Sequence, residues 1–230
     1  MTDDPRAGLK RDAAEAAATL VTDGMVVGLG TGSTAFFAIA ALIRRVGEGL
    51  RIVAIPTSEH SAEQARAGGI VLTDFAAHPT IDLTIDGADA VADGSLDLIK
   101  GLGGALLREK IVASASRRLV IVVDDSKLVP QLGNTTPVPV EVVRFGWEAT
   151  AAHIAALGAK ITMRQDAAGA PFLTDGGNYI LDCHFGAIGD PAALDRQLQA
   201  IVGLVETGLF IGRVSDVFAA TAAGVRRITR

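Results

Sequence analysis

Four short segments hold the residues able to move protons or bind an anion, and each follows an apolar run. The first is Gly28-Leu-Gly-Thr-Gly-Ser-Thr34. Its glycines let backbone approach a ligand closely, and N–H groups at the start of the helix that follows suit an anion such as phosphate. Thr31, Ser33 and Thr34 add hydroxyls, with Gly32 between them; the bland alternative is a tight turn with an N-cap serine. The second, Asp86-Gly87-Ala88-Asp89, puts two carboxylates three residues apart around a glycine. Such a pair can converge on sugar hydroxyls or a metal, or form no more than an Asp-Gly turn. No histidine cluster or EF-hand spacing accompanies it, which weakens the metal reading.

The third segment runs from Lys100 through Gly101, Leu102, Gly103 and Gly104 to Glu109. A lysine leads into glycines that expose N–H groups before a helix. Glu109 stands on that helix with Ala105 and Ala113 four residues to either side, a small-residue face with room for a ligand. The competing reading makes Glu109 a surface residue in the Arg108-Glu-Lys110 triplet. The fourth, Val123-Asp-Asp-Ser-Lys127, can deliver Lys127 to the same cleft.

Two common nucleotide signatures fail on residues. G-x-G-x-x-G needs glycine at 33, where serine stands, and an acidic residue after the second strand, where Pro56-Thr57-Ser58 stands. A P-loop needs lysine in the turn, and none is there. His60, His78, His153 and His184 are scattered, and the single cysteine, Cys183, lies in an apolar run that reads as a buried, inert thiol.

These segments need a scaffold that brings loop ends together. Helix-rich Arg6 to Val21 is followed by alternating apolar runs and helical patterns: Met25 to Leu29, Ala35 to Arg45, Arg51 to Ile55, Ser58 to Ala67, Ile70 to Leu72, Ile81 to Ile85, Gly104 to Ala115 and Arg118 to Val123. The alternation predicts an α/β fold, a Rossmann-like parallel sheet with helices on both faces, whose ligands bind at the carboxyl ends of the strands. The pattern breaks near Pro130. Helices at Trp147 to Leu157 and Pro191 to Ala200, with strands at Ala159 to Met163 and Tyr179 to His184, predict a smaller inserted α+β domain. The expected domains are residues 1–132 plus 207–230 and residues 133–206, with a last strand pair returning near Leu209 and Val217.

Composition narrows the class. At 230 residues, 49% hydrophobic, the chain can bury a core without staples. A net charge of -5 gives no basic footprint, so no nucleic-acid partner is expected. The longest apolar run, Ala35 to Ile43, falls short of the ~20 residues of a membrane span. The acidic start, Met1 to Pro5, is unlike a signal peptide, and with one cysteine it predicts a cytoplasmic protein.

Taken in order, Val27 to Thr34, Asp86 to Asp89, Leu98 to Lys100, Leu107 to Val112, Asp124 to Lys127, Pro137 to Val142, Gly177 to Asp182 and Gly208 to Ile211 closely resemble ribose-5-phosphate isomerase of the A type, through nearly the whole chain. The resemblance implies interconversion of D-ribose 5-phosphate and D-ribulose 5-phosphate through an enediol, in the non-oxidative pentose phosphate pathway, without cofactor and without metal. It implies Glu109 as general base, and Thr31, Gly32, Ser33, Thr34, Asp86, Gly87, Ala88, Asp89, Lys100, Gly101, Leu102, Gly103 and Lys127 as substrate-binding residues. Asp86, Asp89 and Lys100 would also assist the proton transfers, and Lys10 would reach the phosphate. Relatives usually carry glycine where this chain has Leu102, which cannot take positive φ without strain, so a slightly different loop path is expected. The apolar stretch Ile201 to Val205 and the resemblance favour a homo-oligomer, dimer or tetramer. Two rivals are a sugar-phosphate sensor, for which the first 24 residues are too few to hold a DNA-binding domain, and a CoA-transferase-like enzyme with a glutamate nucleophile.

Overall fold

The computed structural model describes residues 4–229. The first three residues of the acidic start, and Arg230, lie outside the described residues. In chain order the elements are α1 (Ala7–Ala18), β1 (Val26–Leu29), α2 (Ser33–Gly47), β2 (Val53–Pro56), α3 (Glu59–Ala67), β3 (Val71–Leu72), β4 (Leu83–Asp86), β5 (Ala90–Ala92), β6 (Leu98–Ile99), α4 (Leu106–Ser114) and β7 (Leu119–Asp124). After one 3-10 turn at Asp125–Lys127 come β8 (Leu128–Val129), β9 (Val138–Val142), α5 (Trp147–Ala156), β10 (Lys160–Met163), β11 (Tyr179–His184), α6 (Pro191–Gln199), β12 (Leu204–Thr207), β13 (Leu209–Phe210), β14 (Asp216–Thr221) and β15 (Gly224–Thr229).

Two compact units result. The first comprises Met1–Ala88, Arg108–Leu128 and Arg213–Arg230, the second Asp89–Leu107 and Val129–Gly212. In the first unit a seven-stranded sheet has the order β15-β14-β7-β4-β1-β2-β3. Every neighbouring pair is parallel except β14 with β15. The chain moves outward in one direction from β1 to β2 and β3, and in the other from β4 to β7 and β14, so the order reverses between β1 and β4. At such a switch point the loops leaving the strand ends diverge and open a crevice.

Strands β1, β4 and β7 are buried along their whole length, hence their Val-, Leu- and Ile-rich content, with Gly28, Thr84, Asp86 and Asp124 among it, rather than an alternating polar pattern. Their core extends to α1, which presents only Ala13, Ala14, Ala17 and Ala18 as buried residues. Small side chains on that face bring its backbone close to α2 and to the sheet. Asp216, at the start of β14, receives Arg118 at 2.8 Å and Arg227 at 2.7 Å. Burial opposes its ionisation more than any other single influence, but the two guanidinium groups outweigh that and hold its carboxyl below the ordinary value. A lowered native pKa stabilises the fold above the unfolded value of about 3.9 and ceases to do so as pH falls through the native value. Asp216→Asn is therefore expected to cost about 1 kcal/mol at pH 7, limited by the half-exposed arginines. The difference in Tm from the parent should close as pH falls below the unfolded value and through the lowered native one.

The second unit holds two four-stranded sheets, β10-β11-β9-β12 and β13-β6-β5-β8. The first is antiparallel throughout, and α5 and α6 cover it through Ile154, Leu194 and Leu198. This unit draws on two stretches of chain, where the sequence pattern predicts residues 133–206 alone. Strands of two or three residues, such as β5 and β6, leave no periodic trace, yet they pair with each other, and β6 pairs with β13. That corrects one expectation: Leu209 does not return to the parallel sheet but pairs with Ile99, and the strands that do return are β14 and β15. Of the apolar stretch Ile201 to Val205, Ile201 and Leu204 pack into this unit's core and Val202 is exposed. Cys183 is fully buried, and burial, then the charge of Asp182, pushes its thiol up to about 12.

Candidate functional site

In the first unit the loop after β1 is fixed by what its glycines exclude. A Cβ on Gly30 would stand 2.1 Å from Asp86 Oδ1 and 2.5 Å from the Asp86 Cα, so only glycine allows β1 and β4 to end side by side. Gly28 does the same for the helix: a Cβ there would meet Thr84 Oγ1 at 1.9 Å and Val112 Cγ1 at 2.8 Å. Val112 of α4 thus occupies the space a side chain on β1 would take. Glu109 lies one turn earlier on the same helix face, toward the end of α4 that points to the strand ends. It is 4% exposed, which sets aside the surface reading of the Arg-Glu-Lys triplet. Arg108 turns away and pairs with Glu59 at 2.8 Å.

Gly32 caps α2 with φ of 104°, the left-handed region open to glycine, and the first N–H groups of a helix have no carbonyl within the helix to donate to. Ser33 opens α2, and its Oγ accepts from Lys10 Nζ at 2.9 Å. The same ammonium donates to Asp4 at 2.7 Å. Lys10, more than twenty residues earlier, is thus brought to the anion-facing end of the helix. The Thr31 amide donates to Asp86 Oδ1 at 3.1 Å, and the Gly87 amide donates to the same oxygen at 2.7 Å. Asp86, 1% exposed, therefore organises both loops at the switch point. Ala88 closes this segment of the first unit.

The Thr31 hydroxyl is tied to the start of α3. It lies 2.7 Å from Thr57 Oγ1 and donates to Ser58 Oγ at 2.8 Å. Thr57 reaches the Leu29 carbonyl at 3.0 Å and Ser61 the Gly30 carbonyl at 2.7 Å. Thr57, Ser58 and Ser61 were not singled out in the sequence. Ser58 caps α3 by accepting from the Ser61 amide at 3.1 Å, and a serine at the start of a helical pattern after a strand is the signal that could have found it. Thr34 is buried in the first turn of α2.

Lys127 is half-buried at the end of the 3-10 turn after β7. Asp124 holds that turn, accepting from the Ser126 amide at 3.0 Å and from Arg6 at 2.8 Å. Burial opposes ionisation of Asp124 most, yet Ser126 and Arg6 together keep its carboxyl below the ordinary range.

In the second unit Lys100 directly follows β6 and is 2% exposed. Its amide donates to the Gly208 carbonyl at 2.9 Å, and a Cβ on Gly208 would come within 2.3 Å of the Lys100 carbonyl oxygen. Its ammonium lies 5.6 Å from the centroid of the Phe210 ring. Gly101 and Gly104 take φ of 106° and 84°; among the described residues the only non-glycine of positive φ is Leu96, so Leu102 carries no such strain. The Leu102 amide donates to Asp89 Oδ2 at 2.9 Å, joining the last residue of the Asp86–Asp89 segment to the glycine loop, with Gly103 next along it.

Buried carboxylates, lysines in loops after strands and the N–H groups of a helix start are groups suited to proton transfer on a small hydroxylated anion. Residues 53–224 match the family ribose 5-phosphate isomerase A (phosphoriboisomerase A). Ribose-5-phosphate isomerase A of Gloeobacter violaceus is 59% identical over 221 residues, 96% of each chain. That of Gluconobacter oxydans is 58% identical over 217 residues, 94% of each chain. The solved ribose 5-phosphate isomerase A of Methanocaldococcus jannaschii, 37% identical, superposes with a TM-score of 0.94 over 98% of this chain and 100% of that one. A D-ribose-5-phosphate isomerase in complex with phospho-erythronic acid, 36% identical, also gives 0.94, over 97% and 98%. Sequence and fold agree along the whole length, and the chain belongs to the ribose 5-phosphate isomerase A family.

Proposed function

We propose that the protein interconverts D-ribose 5-phosphate and D-ribulose 5-phosphate, with Glu109 carrying the proton between C2 and C1. The observation that carries this reading is the buried Glu109 carboxylate in the first turn of α4, the helix that follows the Lys100–Gly104 loop. In the open-chain aldose the carboxylate removes the proton from C2. The C2–H electron pair becomes the C1–C2 double bond, and the carbonyl oxygen takes negative charge. The carboxylic acid then returns its proton to C1, while the C2 hydroxyl gives up its proton and becomes the ketone and the C1 oxygen takes that proton to become the hydroxyl. Asp86 or Asp89 handles the hydroxyl protons, including the one moved when the cyclic sugar opens. Lys100, Lys127 and the N–H groups of the glycine loop supply donors to the enediolate oxygens. The N-terminus of α2, with Ser33, Thr34 and Lys10, anchors the phosphate and orients the reacting carbons. The scheme draws on this chain's own residues and invokes neither metal nor cofactor.

A direct assay of D-ribulose 5-phosphate formation from D-ribose 5-phosphate, with and without chelator, tests the reading; binding without turnover would favour a sensor instead. Lys127→Met is expected to raise KM for the sugar phosphate by about tenfold, the weight of one charge-assisted hydrogen bond. Steady-state kinetics with KM and kcat both unchanged would remove Lys127 from the site.

The same reading includes a cytoplasmic location and a homodimer or homotetramer. A single, buried cysteine supports the first. Exposed Phe145 and Val202 on the second unit support the second, and sedimentation of the purified protein measures it.

A further inference from the structure

Within the second unit, the connection between β10 and β11 places two side chains on the Lys100–Gly104 loop. Arg164 begins that connection. Its Nε donates to Asp182 Oδ2 at 3.0 Å and its Nη2 donates to Asp182 Oδ1. Its Nη1 donates to the carbonyls of Gly101 at 2.7 Å and Leu102 at 3.0 Å. Phe172, eight residues on, closes over Gly104, where a Cβ would come within 2.5 Å of the ring. The far end of the connection is fixed by Glu141, whose Oε1 accepts from Thr174 Oγ1 at 3.0 Å and Asn178 Nδ2 at 2.9 Å. The clamp therefore rests on a braced loop, and Arg164 and Asp182 are only 12% and 18% exposed.

A loop rich in glycine has many backbone conformations, so something outside it must select one. A trans peptide is planar, and its N–H points opposite to its C=O. Holding the carbonyls of residues 101 and 102 against one guanidinium therefore turns the N–H groups of Leu102 and Gly103 to the opposite side. The Leu102 N–H is found there, on Asp89. Only a planar fork can grip a carboxylate with one edge and two carbonyls with the other; a lysine ammonium cannot do both.

We propose that Arg164, locked by Asp182, is a positioning residue for the isomerisation: it fixes the direction in which the Gly103 N–H faces the substrate and holds the Leu102 N–H on Asp89. It acts through the loop and touches no substrate itself. The proposal rests on the reading of Lys100–Gly103 as substrate-binding, and it gives a role to Asp182, the end of a family-like segment that the proton-transfer scheme leaves unused.

Full-length Arg164→Met, Arg164→Lys and Lys100→Met, compared with the parent by thermal melting and steady-state kinetics, test it. A displaced donor of this kind should lower kcat about tenfold to a hundredfold. KM for D-ribose 5-phosphate should stay within about threefold, because the phosphate anchor is untouched. Should Arg164→Met not fold, Arg164→Lys carries the test, since it retains a positive partner for Asp182 but not the fork, and the same fall in kcat is expected. A folded variant at position 164 with parental kcat overturns the proposal, as does a loss seen only in KM. If Lys100→Met loses activity while the folded position-164 variants do not, the site reading stands and the proposal alone falls. Parental kinetics in Lys100→Met would sink the reading of the loop and the proposal with it.

Discussion

Glu109→Gln is expected to lower kcat for isomerisation by about 10² to 10⁴-fold while the protein remains folded. The two side chains have nearly the same shape, so the packing of α4 against β1 through Val112 and Gly28 is preserved. What is lost is a base: an amide cannot take a proton from carbon. The stability change should be small, a few tenths of a kcal/mol, because the variant loses a negative charge in the first turn of a helix and retains the side-chain volume. KM should change little, since in the proposed scheme the phosphate and hydroxyls are held by other residues. Exchange of a C2 deuteron with solvent offers a second readout and should fall in parallel with kcat. Near-parental turnover would remove Glu109 from the role.

Gly30→Ala should damage fold and activity together. The added methyl carbon would stand 2.5 Å from the Asp86 Cα, a backbone atom that cannot swing aside as a flexible side chain can. Either β1 or β4 must shift at the switch point, and the Thr31 amide then leaves Asp86 Oδ1, now 3.1 Å away. Overpacking of this kind costs about 1–3 kcal/mol, and the backbone contact places this site at the upper end. For a chain of this size that is a fall in Tm of roughly 6–12 °C. Because Asp86 also receives the Gly87 amide, kcat/KM is expected to fall at least about tenfold even at temperatures where the variant is folded. A variant with parental Tm and kinetics would show that the strand ends can move apart without cost, and that no steric demand requires glycine at position 30.

The contrast between these two positions shows what was legible in the sequence. Glu109 was visible as a carboxylate with small residues around it, but spacing alone left it balanced against an exposed charge triplet. Its burial follows from Gly28, eighty-one residues earlier, whose missing side chain admits α4. Gly30 was visible as a loop glycine, and the reason it must be glycine lies in Asp86. Thr31 went the other way: its hydroxyl reads as a ligand donor, yet it is engaged by Thr57 and Ser58. The short strands β5, β6 and β13 were invisible because two or three residues have no period, and the pairing of β6 with β13 joins residues about a hundred positions apart.

The sequence by itself determined the βα alternation, the parallel core strands and the set of glycine-bearing loops that follow them, because these are written in local composition, in short apolar runs and in the 3.6-residue helical period. The tertiary structure alone decided which residues those loops meet: Lys10 on Ser33, Asp86 on the Thr31 amide, Arg164 on the carbonyls of Gly101 and Leu102. Each of these contacts joins residues more than twenty positions apart. Strand order and close packing fix them, and neither is a property of any short stretch of chain.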